Sequence, residues 1–207
     1  MFFTKVFHEH KTLENERLEL ADKGSLYSLG PSLVLRNCTL VLKVPARNLS
    51  TKGARLIDCT IEVKQELKSY AGWIKASLQG CRFKGKMPGC EFGRWPDYAP
   101  GWEHGSIENC DFSEAHLQGC RFHSCDPLTL RLPRWPYFTL LDPPRRYRDW
   151  LAHPWPGNLG SSIIGTSCSD PPSTVAVTWS AALLAKEEGC SVEDLRAVVE
   201  RCEGILY

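Results

Sequence analysis

A chain of 207 residues with 43% hydrophobic content is long enough to bury a core, as one domain or one domain with a substantial appendage. Twenty-five basic residues against 24 acidic ones leave a net charge of +1, which argues against a chain-wide nucleic-acid surface. The opening Met1–His10 stretch has no apolar core of a secretory signal, and nowhere does the chain approach the roughly 18 uncharged apolar residues of a membrane span.

A hexamer recurs along the first 130 residues. It reads Leu35-Arg36-Asn37-Cys38-Thr39-Leu40, Leu56-Ile57-Asp58-Cys59-Thr60-Ile61 and Leu78-Gln79-Gly80-Cys81-Arg82-Phe83. It returns as Met87-Pro88-Gly89-Cys90-Glu91-Phe92, Ile107-Glu108-Asn109-Cys110-Asp111-Phe112 and Leu117-Gln118-Gly119-Cys120-Arg121-Phe122. Cysteine and the apolar residue two places on fall on one face of a short strand, with the polar residue between them on the other. Asn, Asp or Gly just before the cysteine tolerates the left-handed backbone of a corner. Leu20, Leu40, Ile61 and Phe83 recur at intervals of 20, 21 and 22 residues, which predicts stacked parallel strands in a solenoid. Between Phe83 and Phe112 the spacing widens to one coil plus an excursion, supplied by the Pro- and Gly-rich stretch 93–101. Six of the ten cysteines sit in one slot of the repeat, so they read as small buried hydrophobes with free thiols, and the expected compartment is the reducing cytoplasm.

From residue 110 the register tightens to fives: Cys110-Asp111-Phe112, Ala115-His116-Leu117, Cys120-Arg121-Phe122, Cys125-Asp126-Pro127. This run resembles the pentapeptide-repeat family. The resemblance implies an irregular right-handed parallel β-helix over 1–130 and carries over no catalytic residue.

Residues 131–172 form a proline- and aromatic-rich strap. Its proline density predicts neither regular strands nor a long helix, and Arg131, Arg134, Arg145, Arg146 and Arg148 outnumber Asp142 and Asp149. Residues 173–207 predict a helical hairpin packed on the solenoid. One run spans Thr174 to Glu188 and stops at Gly189. A second is N-capped by Ser191, with Val192, Leu195, Val198, Val199 and Cys202 on one face.

No nucleotide-binding loop, nucleophile elbow or zincin motif occurs. His8-Glu9-His10 and the Cys120, His123, Cys125 trio are the nearest approaches to a metal site, and neither has a complete ligand spacing. The expectation is a non-enzymatic, cofactor-free and metal-free protein-binding module. In general character it resembles immunity proteins that neutralise a cognate bacterial toxin by direct binding. The alternatives are an enzyme on a β-helix scaffold and a DNA mimic that binds a topoisomerase. The outward slots Arg82, Glu91, Asp111 and Arg121 alternate in sign and so disfavour the mimic. Candidate anchors are Trp95, Tyr98 and Trp102 of the excursion and Trp135, Arg145, Arg146, Tyr147 and Trp150 of the strap, residue types enriched at interface hot spots.

Overall fold

Two or three strands per coil set the architecture seen in the computed structural model, which describes residues 4–96 and 105–207. The first coil contains β1 (Thr4–His8), β2 (Thr12–Glu14) and β3 (Arg17–Leu20). The next two contain β4 (Ser25–Leu29), β5 (Val34–Arg36), β6 (Thr39–Leu42), then β7 (Leu49–Ser50), β8 (Arg55–Ile57), β9 (Thr60–Val63). Further along come β10 (Ser77–Gln79), β11 (Arg82–Lys86), β12 (Glu91–Gly93), β13 (Ser106–Glu108), β14 (Asp111–His116) and β15 (Cys120–His123). Two five-stranded sheets run the length of the solenoid, in the orders β2-β5-β8-β10-β13 and β3-β6-β9-β11-β14, with all neighbours parallel.

A third side begins as the sheet β1-β4-β7 and resumes as the β12-β15 pair. A 3-10 helix at Gly72–Lys75 stands between the two, carrying the fully buried Trp73. Among the described residues the fourth side has no regular strand. Its turns stack through pairs of hydrogen bonds, Leu67 and Ser69 N–H to the Lys86 and Pro88 carbonyls, and Met87 and Gly89 N–H to the His116 and Gln118 carbonyls.

The corner residues behave as their side chains require. Asn37, Asp58, Gly80, Gly89, Asn109 and Gly119, each immediately before a repeat cysteine, all have positive φ. The cysteines that follow are buried in two columns. Cys38, Cys59, Cys81 and Cys110 occupy one corner, Cys90 and Cys120 another. Their thiols donate to corner carbonyls, as in Cys59 to Ile57 at 3.3 Å and Cys120 to Met87 at 2.8 Å, a contact that alanine could not make. Burial pushes Cys120 up to about 12, so it stays protonated and inert. All ten cysteines are free thiols.

Register corrects one spacing. Leu18, not Leu20, pairs with Leu40, and Leu20 pairs with Leu42, so the first coil is two residues longer than the count from Leu20 gives. The interior also changes character along the axis. Leu20, Leu40 and Ile61 give way to Phe83, Phe112, Phe92 and Phe122, whose rings stack or meet edge to face at 4.7–5.5 Å.

Beyond the solenoid the expectations need two corrections. The strap contains a regular strand, β16 (Tyr137–Leu141), and a helix, α1 (Pro143–Leu151). Its prolines sit where they do no harm: Pro136 precedes the strand, and Pro143 and Pro144 fill the first helical turn, whose N–H groups have no intrahelical acceptor. The run from Thr174 is β17 (Thr174–Ser180) before it becomes α2 (Ala181–Glu188). Thr174, Val175, Val177, Thr178 and Trp179 favour a pleated surface, and the helix starts only where Ser180 caps the Leu183 N–H. Gly189, in the left-handed region at φ 68°, ends α2, and α3 (Val192–Val199) begins with a reciprocal capping box between Ser191 and Asp194.

Strand β17 pairs antiparallel with β15 on one side and β16 on the other, and β18 (Ile205–Leu206) completes the sheet β12-β15-β17-β16-β18. The solenoid's last coil is therefore closed by a strand, not by the helical hairpin. The helices bury Trp150, Leu184, Leu195, Val198 and Val199 with Phe138 and Leu140 in a second core. Segment 127–132 closes the neighbouring side, Phe112 N–H donating to the Arg131 carbonyl. Among the described residues no helix is long and apolar enough to cross a membrane.

Candidate interaction surface

Where the solenoid meets the added sheet lie two features, a polar cluster and a pair of grooves. The first is enclosed. His123, fully buried on β15, has Nε2 2.8 Å from Glu91 on β12 and Nδ1 3.2 Å from the Thr174 hydroxyl on β17. Beside it Arg121 Nε donates to Asp170 at 2.7 Å and Nη1 to Glu91 at 3.4 Å. Burial raises the Asp170 carboxyl, opposed by Arg121. A carboxylate, an imidazole and a hydroxyl in line have the parts of a nucleophilic relay. With His123 and Thr174 both wholly enclosed, no substrate reaches the hydroxyl, and the cluster instead ties three strands together across the seam.

Open to solvent on another side of the seam is a pair of shallow grooves that share His116 and Tyr137. One, of about 420 Å³, is lined by Lys86, Pro88, Leu117, Gln118 and Leu183 among others, and is the more apolar. The other, of about 400 Å³, lies against Glu114, Arg134, Trp135 and Pro136. His116 Nδ1 and the Tyr137 hydroxyl are 3.0 Å apart, and partial burial raises the Tyr137 phenol, which stays protonated at neutral pH. The half-buried Trp135 ring lies 5.5 Å from the Arg196 guanidinium, a cation–π contact that holds its orientation. Leu183, 46% exposed on α2, is one of the few large apolar side chains left to solvent.

The anchors read from the sequence fall into separate places. Trp135 is at the seam groove. Trp95 is half-buried, stacked on His123 at 4.7 Å and roofing the enclosed cluster. Tyr98 and Trp102 lie outside the described residues. Arg145 and Arg146 are exposed on α1, the former paired with Asp142 at 3.2 Å, and Tyr147 accepts a hydrogen bond from Arg148 Nε at 3.0 Å. Trp150, by contrast, is not on the surface. It is 1% exposed in the second core and donates its indole N–H to the Glu203 carbonyl at 2.8 Å, because the apolar face of α1 turns inward. His116, in the Ala115-His116-Leu117 pentapeptide, and Leu183, inside the Thr174–Glu188 run, carry no local sequence signal that sets them apart as groove residues. Only the arrival of β16 and α2 beside β14 makes either one part of a groove.

Cys120 and His123 are engaged within the fold, by the Met87 carbonyl and by Glu91 and Thr174. Among the described residues no group of three His, Cys, Asp or Glu side chains is arranged to hold a metal. Compared with protein-family models, with curated proteins and with solved structures, the chain gives no match.

Proposed function

We propose that this chain is a non-enzymatic protein-binding module that engages its partner through the seam grooves. The observation carrying this reading is the composition of that surface. Tyr137, hydrogen-bonded to His116, is common to both grooves, Trp135 with its cation–π contact lines one beside Arg134, and the exposed Leu183 lines the other with Lys86. Rigid aromatics beside long cationic side chains concentrate binding energy at low entropic cost. The groove side chains lie outside the repeat's inward slots, so they can vary without disturbing the stacked coils.

A more specific form of the proposal makes the partner a bacterial toxin and this chain its immunity protein, with a solenoid of pentapeptide-repeat type serving as a rigid frame in the cytoplasm. Its support is the general character of the molecule, a rigid repeat frame decorated at one end by non-repeating segments.

The test is co-purification and titration calorimetry with the product of the adjacent gene. Trp135→Ala should weaken the complex by about 2 kcal/mol or more at temperatures where the free variant, which also loses packing on the second core, is still folded by circular dichroism. Equal affinity for wild type, Trp135→Ala and Leu183→Asp would remove the groove from the interface. The absence of any complex with that product, and of any protection from its toxicity, would remove the immunity assignment.

A further inference from the structure

The two ends of the solenoid are finished differently. At the far end β17 and the 127–132 segment close the last coil. At the near end β1, β2 and β3 are each the terminal member of their sheet, so among the described residues nothing pairs with their outer edges. Beneath those edges Val6, Leu13 and Leu18 pack on the main core but are only partly buried, and Phe7 is 59% exposed. A parallel sheet edge that shows both unpaired backbone and apolar side chains is a template for further pairing.

Which backbone groups are unpaired follows from the ladder. Thr39 and Lys43 N–H groups bond to the Glu16 and Leu20 carbonyls, so the even-numbered residues of β3 face β6 while Arg17 and Glu19 face outward. On β1 the His8 carbonyl accepts from Gly30, which turns Lys5 and Phe7 outward by the same alternation. We infer that this open end is the interface of a head-to-head dimer of the chain with itself.

The sequence of β3 is self-complementary under a two-fold axis. Antiparallel pairing centred on Leu18 sets Leu18 opposite its copy as a non-hydrogen-bonded pair and Arg17 opposite the copy's Glu19, twice, as hydrogen-bonded pairs. The outward backbone groups of Arg17 and Glu19 are the ones this register uses. Their side chains share the solvent face, so each cross-strand pair also joins opposite charges. Strand β1 repeats the logic about Val6, with Lys5 opposite the copy's Phe7 and the Lys5 stem covering the exposed ring. The charge of the end coil favours a second copy over an acidic or basic partner. Lys5, Lys11, Arg17 and Lys23 are interleaved with Glu9, Glu14, Glu16, Glu19 and Asp22, which is a near balance that complements only a similarly mixed surface. Arg17 already reaches Glu62, two coils on, at 3.9 Å, and Glu19 reaches Lys43 in the next coil at 2.6 Å. These are exposed pairs, so reversing either charge costs the single chain little.

Sedimentation equilibrium on the full chain tests the interface. Wild type is expected to dimerise at micromolar concentration. Arg17→Glu should weaken the dimer about tenfold, as two opposite-charge cross-strand pairs become like-charge pairs. The double reversal Arg17→Glu with Glu19→Arg should restore it. Leu18→Cys in a Cys168→Ser background should crosslink to itself on mild oxidation, since non-hydrogen-bonded antiparallel pairs bring Cα atoms within disulfide range. A wild type that is monomeric throughout overturns the inference. So does a dimer insensitive to Arg17→Glu, or a Leu18→Cys chain that stays uncrosslinked, and circular dichroism of each variant separates loss of pairing from loss of fold.

Discussion

The solenoid fills its interior with one residue per slot, repeated coil after coil. The second core instead collects Phe138, Leu140, Trp150, Ile164, Leu184, Leu195 and Val199 from one strand and several helical segments that share no pattern. In the first, each apolar side chain rests on its counterparts one coil above and below, so burial is assured by stacking. In the second, each depends on several non-repeating segments arriving together, and no local rule announces which side chains will be enclosed. The two cores are joined through one antiparallel pairing, β15 with β17, and through the enclosed Glu91, His123 and Thr174 cluster.

The largest effects should come from emptying either core. Phe112→Ala and Trp150→Ala should each cost about 3–5 kcal/mol. Chemical denaturation followed both by far-ultraviolet circular dichroism and by tryptophan fluorescence tells how tightly the cores are coupled. If they unfold as one unit, both substitutions move a single transition. If the seam is the weaker link, Trp150→Ala splits the transition and leaves the solenoid standing.

The seam itself can be probed from the solenoid side. Gly93 closes β12 at φ 87°, and a Cβ there would stand 2.2 Å from the His123 carbonyl oxygen. Gly93→Ala should therefore cost about 1–3 kcal/mol, from left-handed strain and from pushing β15 away. A loss confined to melting of the C-terminal half, read by hydrogen exchange at β16 and β17, would identify the seam as the element that fails.

Smaller effects distinguish the halves more finely. Ser191→Ala removes the capping box of α3 and should lower stability by about 1 kcal/mol, with exchange protection falling over 192–199 first. Arg145→Ala, which loses an exposed pair with Asp142, should change the unfolding free energy by less than about 0.5 kcal/mol. A larger change there would mean that α1 is held by its outer face as well as by Trp150.

Much of the solenoid was legible because its determinants are local and repeated. A cysteine two residues before an apolar residue, behind Asn, Asp or Gly, encodes a corner and a strand in six neighbouring positions. Those positions adopt the backbone that their side chains favour. The weakest repeat was misplaced by two residues, since Leu18 and Leu20 are equally apolar and only pairing with Leu40 and Leu42 separates them. Little of the candidate surface was readable in the same way. Trp135 reads as an anchor from its type and stands at the groove, while Trp150 reads the same way and is buried. Side-chain chemistry alone does not say which face of α1 turns inward.

The sequence by itself determined the elements whose causes lie within a few residues. These are the left-handed corners, the inward cysteine columns, the stop at Gly189 and the cap at Ser191. The tertiary structure alone decided the rest. The run Thr174–Ser180 has strand-forming side chains and leads straight into a helix former, and the edge of β15 resolves the choice by offering it a ladder. The same pairing brings Tyr137 and Leu183 beside His116, and encloses His123 against Thr174. Each of these outcomes depends on residues more than 20 positions apart, where no local propensity reaches.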